Sequence, residues 1–172
     1  KLYYERRHDL QYTVNYLDKA DNSVIRTAKV TGNKTFGETI NGVNEVVTIP
    51  GYNYDSCNPT SITIGVNESS NVIDLYYTKR TDLTYTVNYL EKNTTNVIHT
   101  AKTVEDQTYG ATITGANEAI EIDGYTYDSV DPTTLTIGVE SNVINVYYTK
   151  RSDLTYTVNY LEKNTTNVIH TA

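Results

Sequence analysis

Two short strings place a flat aromatic ring, a carboxylate and a hydroxyl side by side: Tyr54-Asp55-Ser56 and Tyr127-Asp128-Ser129. Each lies just upstream of a proline, Pro59 or Pro132. An apolar plate with polar groups at its rim is the surface a sugar ring needs. The same residues also have a plain structural use. Tyr54 could plug the end of a sheet, and Asp55 could cap the Asn58-Pro59 turn. Tyr54, Asp55, Tyr127 and Asp128 are the candidate binding residues, with both uses open.

The chain that must position them repeats itself. YTVNYL stands at Tyr12–Leu17, Tyr85–Leu90 and Tyr156–Leu161, and YYTKR at Tyr76–Arg80 and Tyr147–Arg151. Residues 82–101 and 153–172 are the same 20-residue sequence. Recurrence at this spacing reads as tandem domains. The division expected is the last strand of a preceding repeat at 1–9, one repeat at 10–80, a second at 81–151, and the opening strands of a further repeat at 152–172. On this reading the chain is a window on a longer array.

The repeats also test the remaining reactive side chains, because a catalytic group should recur in every copy. Cys57 is replaced by Val130, which marks a small core position rather than a nucleophile. His99 and His170 answer to Arg26, an exposed strand site. Glu118, Glu121 and Asp123 would suit calcium, but the first copy reads Glu45, Thr48 and Pro50. Lys29/Lys102 and Asn15/Asn88 recur, but both are expected to face outward, and a Lys–Asn cross-link needs an apolar surround. No enzymatic activity, cofactor or metal is expected.

Composition narrows the rest. The chain has 172 residues, 17 Tyr, one Phe and no Trp or Met, so tyrosine must supply part of the core. Its abundant Tyr, Thr, Val and Ile favour strands. Fourteen basic and 21 acidic residues give a charge of −7, which argues against nucleic acid and anionic membrane as partners. No apolar run reaches the roughly 18 residues of a membrane-spanning helix, so no membrane insertion is expected.

Within one repeat, Leu10, Tyr12, Val14 and Tyr16 alternate with polar residues and predict a strand with one apolar face. Asp18–Ser23 reads as a hairpin turn and Val24–Thr31 as a second strand. Gly32–Asn44 is irregular. Its Thr35 and Glu38 have capping-box spacing, enough for one helical turn. Further strands are expected at Glu45–Ile49, Tyr52–Asp55, Ser61–Val66 and Asn71–Lys79. The expected core is Val14, Tyr16, Ile49, Ile64 and Leu75, with Val87, Tyr89, Ile122, Ile137 and Val146. The join at Lys79–Leu83 lacks Gly and Pro, so it reads as stiff and the array as a rod.

These landmarks together resemble the MucBP (mucin-binding protein) repeat of Gram-positive surface adhesins. The resemblance rests on the opening TVNYL, the Gly37 and Gly110 loops, IPGY at Ile49–Tyr52 with IDGY at Ile122–Tyr125, and the closing NVIDLYYTKR and NVINVYYTKR. It implies a mainly β chain of tandem β-grasp-like (ubiquitin-like) repeats. The Gly-broken segment between the second and third strands should leave little or no helix. It also implies an extracellular setting on the bacterial surface, wall-anchored through a region outside this sequence, and multivalent binding to mucin or other host glycoconjugates. The alternative is a passive stalk that projects a distal binding domain. Chains could also meet end to end through the incomplete terminal repeats.

Overall fold

The structure, a computed structural model, describes residues 1–171. By packing it divides into two compact units. The first comprises residues 1–86, 103–113 and 134–143, and the second 87–102, 114–133 and 144 onward.

In the first repeat β1 (Leu10–Asp18) and β2 (Val24–Lys34) form a hairpin. Its tip is turned by Asn22 at φ 59°, a left-handed geometry that asparagine tolerates. β3 (Thr39–Asn41), a 3₁₀ turn at Gly42–Glu45, β4 (Tyr52–Asn58), β5 (Ser61–Thr63) and β6 (Val72–Lys79) follow. The main sheet has the order β2-β1-β6-β4. β1 and β6 run parallel at its centre, with Val14 opposite Ile73 and Tyr16 opposite Leu75. β2 and β4 flank them antiparallel. First and last strands parallel in the middle of a mixed sheet is the β-grasp arrangement the resemblance implied, and no α-helix forms among the described residues.

The alternation on β1 does the work expected of it. Leu10, Tyr12, Val14 and Tyr16 are buried, with Ile73, Leu75 and Tyr77 of β6 beside them. The β3–β5 ladder and the crossover cover this face with Ile40, Ile49, Ile62 and Ile64. β2 is an edge strand, and its Ala28 and Val30 are exposed.

Two expectations need correction. Glu45–Ile49 is not a strand. The 3₁₀ turn ends on Glu45, and both backbone groups of Val47 are held by one side chain, the Tyr77 hydroxyl. That hydroxyl donates to the Val47 carbonyl at 3.0 Å and accepts from its N–H at 3.2 Å. The third strand is instead Thr39–Asn41, paired with β5. The Thr35/Glu38 spacing starts no helix either. The Glu38 carboxylate does accept from the Thr35 N–H at 3.1 Å, but Gly37 at φ 82° turns the chain straight into β3. Gly42 allows the crossover to pass close over the sheet, because a Cβ there would lie 2.8 Å from the Cys57 sulfur.

The second repeat copies the plan. β7 (Leu83–Glu91), β8 (Val97–Gln107), β9 (Thr112–Thr114), β10 (Tyr125–Asp131), β11 (Thr134–Thr136) and β12 (Val143–Lys150) give a sheet of order β10-β12-β7-β8 and a β9–β11 ladder. Val87, Tyr89, Ile137 and Val146 are buried as expected, while Ile122 is only half-buried. β13 (Asn159–Leu161) and β14 (Val168–Thr171) make a two-stranded hairpin exposed along its length.

A part-buried charge cluster borders the first repeat's core, with Lys29 exposed and Glu45 half-buried. Lys29 donates to Glu45 at 2.6 Å and Tyr12 donates to the same carboxylate at 2.8 Å. Burial would raise the Glu45 pKa, but these two donors outweigh it and hold the carboxyl below its usual range. A depressed folded value means stability that is complete above the unfolded value of about 4.3 and is lost as pH falls through the folded one. Glu45→Gln should therefore flatten the acid limb of stability below about pH 4.3, read from urea midpoints across pH 2.5–7. An unchanged acid limb would show that other carboxylates carry it.

Candidate functional site

Each repeat carries a groove between the crossover and the strand that follows it. In the first unit its volume is about 290 Å³, with Tyr77 as floor, Val47 and Ile49 on one wall, and Tyr52 and Tyr54 on the other. The Tyr77 hydroxyl fixes the Val47 wall, as described above. In the second unit the groove has Tyr148 as floor and Ile120 and Tyr127 as walls. The Tyr148 hydroxyl accepts from the Ile120 N–H and donates to its carbonyl, both at 2.9 Å. Thus the same hydroxyl clamp builds the same wall twice.

Tyr54 and Tyr127 stand at the groove edge, 37% and 42% exposed. Tyr54 packs edge-on against Tyr77 at 5.8 Å, and Tyr127 against Tyr148 at 6.2 Å. A hydrogen bond with Cys57, then burial, push the Tyr54 hydroxyl up to about 12. Val130 stands at the Cys57 position in the second repeat.

Asp55 and Asp128 do not line the grooves. Asp55 is the extra residue of a β-bulge: Tyr54 pairs with Tyr77 and Ser56 with the adjacent Tyr76. Tyr127 and Ser129 repeat the bulge against Tyr148 and Tyr147. Asp55 instead accepts from Lys19 at 2.6 Å and from the Ser56 hydroxyl at 2.7 Å, and these hydrogen bonds hold its carboxyl below the usual range. Asp128 does the same with Lys92 at 2.6 Å and Ser129 at 2.7 Å. Each aromatic plate is thus separated from the carboxylate that adjoins it in sequence, as the alternation of side chains along a strand requires. Exposed pairs of this kind contribute at most about 1 kcal/mol.

The other reactive groups are occupied by structural partners. Asn15 donates to Asp74 at 2.7 Å, and Asn88 to Asn145 at 2.9 Å, while Lys102 pairs with Glu118 at 2.6 Å. Cys57 packs half-buried against the core. The exchange of Arg26 for His99 preserves an aromatic contact. Arg26 lies 5.5 Å from the Tyr16 ring centre, and His99 meets Tyr89 edge-on at 5.3 Å. Among the described residues no three His, Cys, Asp or Glu side chains gather to hold a metal ion.

Two features are missed in the sequence reading: the hydroxyl clamps of Tyr77 and Tyr148, which shape the grooves, and the Lys29–Glu45 and Lys102–Glu118 pairs, which lie outside the groove linings. For the pairs a signal existed, since both recur at a separation of 16 residues.

No protein-family model matches this chain, and no curated protein matches its sequence. Among solved structures it is similar to Streptococcal High Identity Repeats in Tandem (SHIRT) domains 3-4 from a cell surface protein. There the identity is 11% and the TM-score 0.31, over 83% of this chain and 98% of the other. It is also similar to a type 2 repeat of the mucus binding protein MUB from Lactobacillus reuteri, with 12% identity and a TM-score of 0.30, over 83% and 100%.

Proposed function

We propose that the chain is a repeat region of a bacterial cell-surface adhesin, held outside the cell by a wall anchor beyond this sequence. Its repeats at 10–80 and 81–151 bind mucin or other host glycoconjugates, one weak site each. The carrying observation is the recurrence of one groove in both repeats, with an exposed tyrosine at its edge and a tyrosine floor. Tyr54 and Tyr127 serve as plates for a sugar ring, and the crossover backbone supplies polar groups at the rim. Asp55 and Asp128 position the bulge beside each plate. A shallow site buries little area and binds weakly, so useful affinity comes from several sites engaging one dense glycan array.

The test uses the whole chain, because the first compact unit includes residues 103–113 and 134–143 and a single repeat would not preserve it. Immobilised mucin should retain the chain, Tyr54→Ala and Tyr127→Ala should each weaken retention, and the double variant should abolish it. Each substitution removes one edge-on ring contact of about 0.5–1.5 kcal/mol, so folding should survive. Equal retention of the double variant would place the binding elsewhere.

A passive stalk is favoured by one different observation. The join after β6 is tied by backbone bonds, Arg80 N–H to the Gly51 carbonyl and Tyr109 N–H to the Arg80 carbonyl, each 2.9 Å. If neither mucin nor a broad glycan panel retains the unaltered chain, the stalk is the function.

A further inference from the structure

The turn before β4 has the same residues in both repeats but different surroundings. In the first, the Tyr109 ring lies on Gly51 and meets the Tyr52 ring edge-on, with centres 5.6 Å apart. A Cβ on Gly51 would come within 2.4 Å of that ring, so glycine is needed for the close approach as well as for its φ of 81°. Around Gly124, φ 79°, nothing would meet a Cβ within 4 Å.

The frame around the two glycines is the same. Arg80 N–H donates to the Gly51 carbonyl and Arg151 N–H to the Gly124 carbonyl, both at 2.9 Å. Arg80 grips Asp82 with two bonds of 2.9 Å, and Arg151 grips Asp153 with bonds of 2.9 and 2.8 Å. The cavity volumes register the difference. The second unit's groove reaches about 590 Å³ and continues past Tyr125, the counterpart of Tyr52, to Gly124, Arg151 and Asp153. The first unit's groove stops short of Gly51 and Arg80.

We propose that the pocket at Gly124, Tyr125 and Arg151 is a socket for an aromatic side chain carried on the Thr-aromatic-Gly turn of another repeat of this type. The filled socket at Gly51 is the template, and Thr108-Tyr109-Gly110 is its plug. The plug is a recurring feature too. Thr35-Phe36-Gly37 makes the equivalent bond, Phe36 N–H to the Arg7 carbonyl at 2.9 Å, and its ring is 47% exposed. Each repeat thus presents one ring and one seat. The seat is formed before the ring arrives, so occupancy costs little reorganisation. This inference does not depend on glycan binding.

The experiment is an NMR titration of the ¹⁵N-labelled 172-residue chain with a synthetic peptide of residues 103–113. A second arm uses that peptide carrying Tyr109→Ala, and a third N-acetylgalactosamine. One ring on an unstructured peptide should bind with a Kd on the order of 1–10 mM. The expected result is concentration-dependent shifts of the Gly124, Tyr125 and Asp153 amides, with Gly51 unmoved because its seat is filled. The Ala peptide should shift none of them. Absence of shifts at 10 mM, equal shifts with the Ala peptide, or movement of Gly51 in place of Gly124 would each overturn the socket. So would the sugar moving the same amides as far as the peptide, which would make the pocket a sugar subsite.

Discussion

Ile64→Ala should lower the unfolding free energy by about 2–5 kcal/mol. The side chain is 1% exposed and sits in the cluster formed by Val14, Ile73 and Leu75. Its backbone is fixed from both sides: Ile64 N–H donates to the Glu38 carbonyl at 2.8 Å, and Gly37 N–H donates to the Ile64 carbonyl at 2.9 Å. A pinned backbone cannot settle into the space left by the lost atoms, so a cavity adds to the lost transfer energy. Domains of ordinary stability have only about 5–15 kcal/mol in total. The substitution should show as a lower urea midpoint at unchanged slope. Val30→Ala on the exposed face of β2 is the control, expected within about 0.5 kcal/mol. A loss below 1 kcal/mol for Ile64 would mean that its side chain does not support the core.

The strands that pack on one face were legible because their side chains alternate. β1 and β6 follow period two, and their buried apolar positions are marked by type; the exception is Asp18, a buried carboxylate that the sequence reads as part of the polar turn. The crossover was not legible. Val46, Val47 and Ile49 look like a strand by composition, but the partner of Val47 is the Tyr77 hydroxyl, which no periodicity in residues 45–49 can foretell. β3 is three residues long, too short to show a period, whereas β5 falls within the strand expected at Ser61–Val66 and stops at Thr63. Ile122 was expected in the core and is half-buried, because it borders the larger open cavity of the second unit.

The 20-residue sequence present twice shows how far local sequence reaches. At 82–101 it supplies β7 and the start of β8, and β7 buries Tyr85, Val87 and Tyr89 with β12 alongside. At 153–172 it gives strands of three and four residues, with Tyr156 86% exposed. Among the described residues no strand flanks that hairpin as β12 flanks β7. Local sequence therefore supplies the hairpin preference, and the neighbouring strand supplies the strand length and the burial.

The placement of the candidate residues was legible in part. Tyr54 and Tyr127 do stand at a groove edge. That Asp55 and Asp128 stand away from Tyr54 and Tyr127 follows from strand alternation, which puts neighbouring side chains on opposite faces; the bulge could not be read, because it arises from the pairing of β4 with β6 and of β10 with β12. One inserted residue changes which side chains share a face.

Tyr77→Phe and Tyr148→Phe test the clamp that makes the groove. Each change removes one oxygen and keeps the ring, so the apolar burial is nearly unchanged. What is lost is the two-way bond to Val47 at 3.0 and 3.2 Å, or to Ile120 at 2.9 and 2.9 Å. Leaving a buried donor and acceptor unpaired costs about 1–3 kcal/mol each. Water entering the open groove can replace part of that, so about 1–3 kcal/mol is expected for each variant. The more specific readout is hydrogen exchange at two amides. Val47 N–H and Ile120 N–H lose their acceptors, and their exchange should accelerate at least about tenfold beyond any change in global stability. Amides in the β1–β6 pairing should follow global stability alone. If Val47 and Ile120 exchange no faster than those strands, the hydroxyl is not what holds the crossover. If they do accelerate, the groove wall has been loosened while Tyr54 and Tyr127 stay in place. Retention on mucin should then fall, because a plate without its opposing wall no longer defines a site.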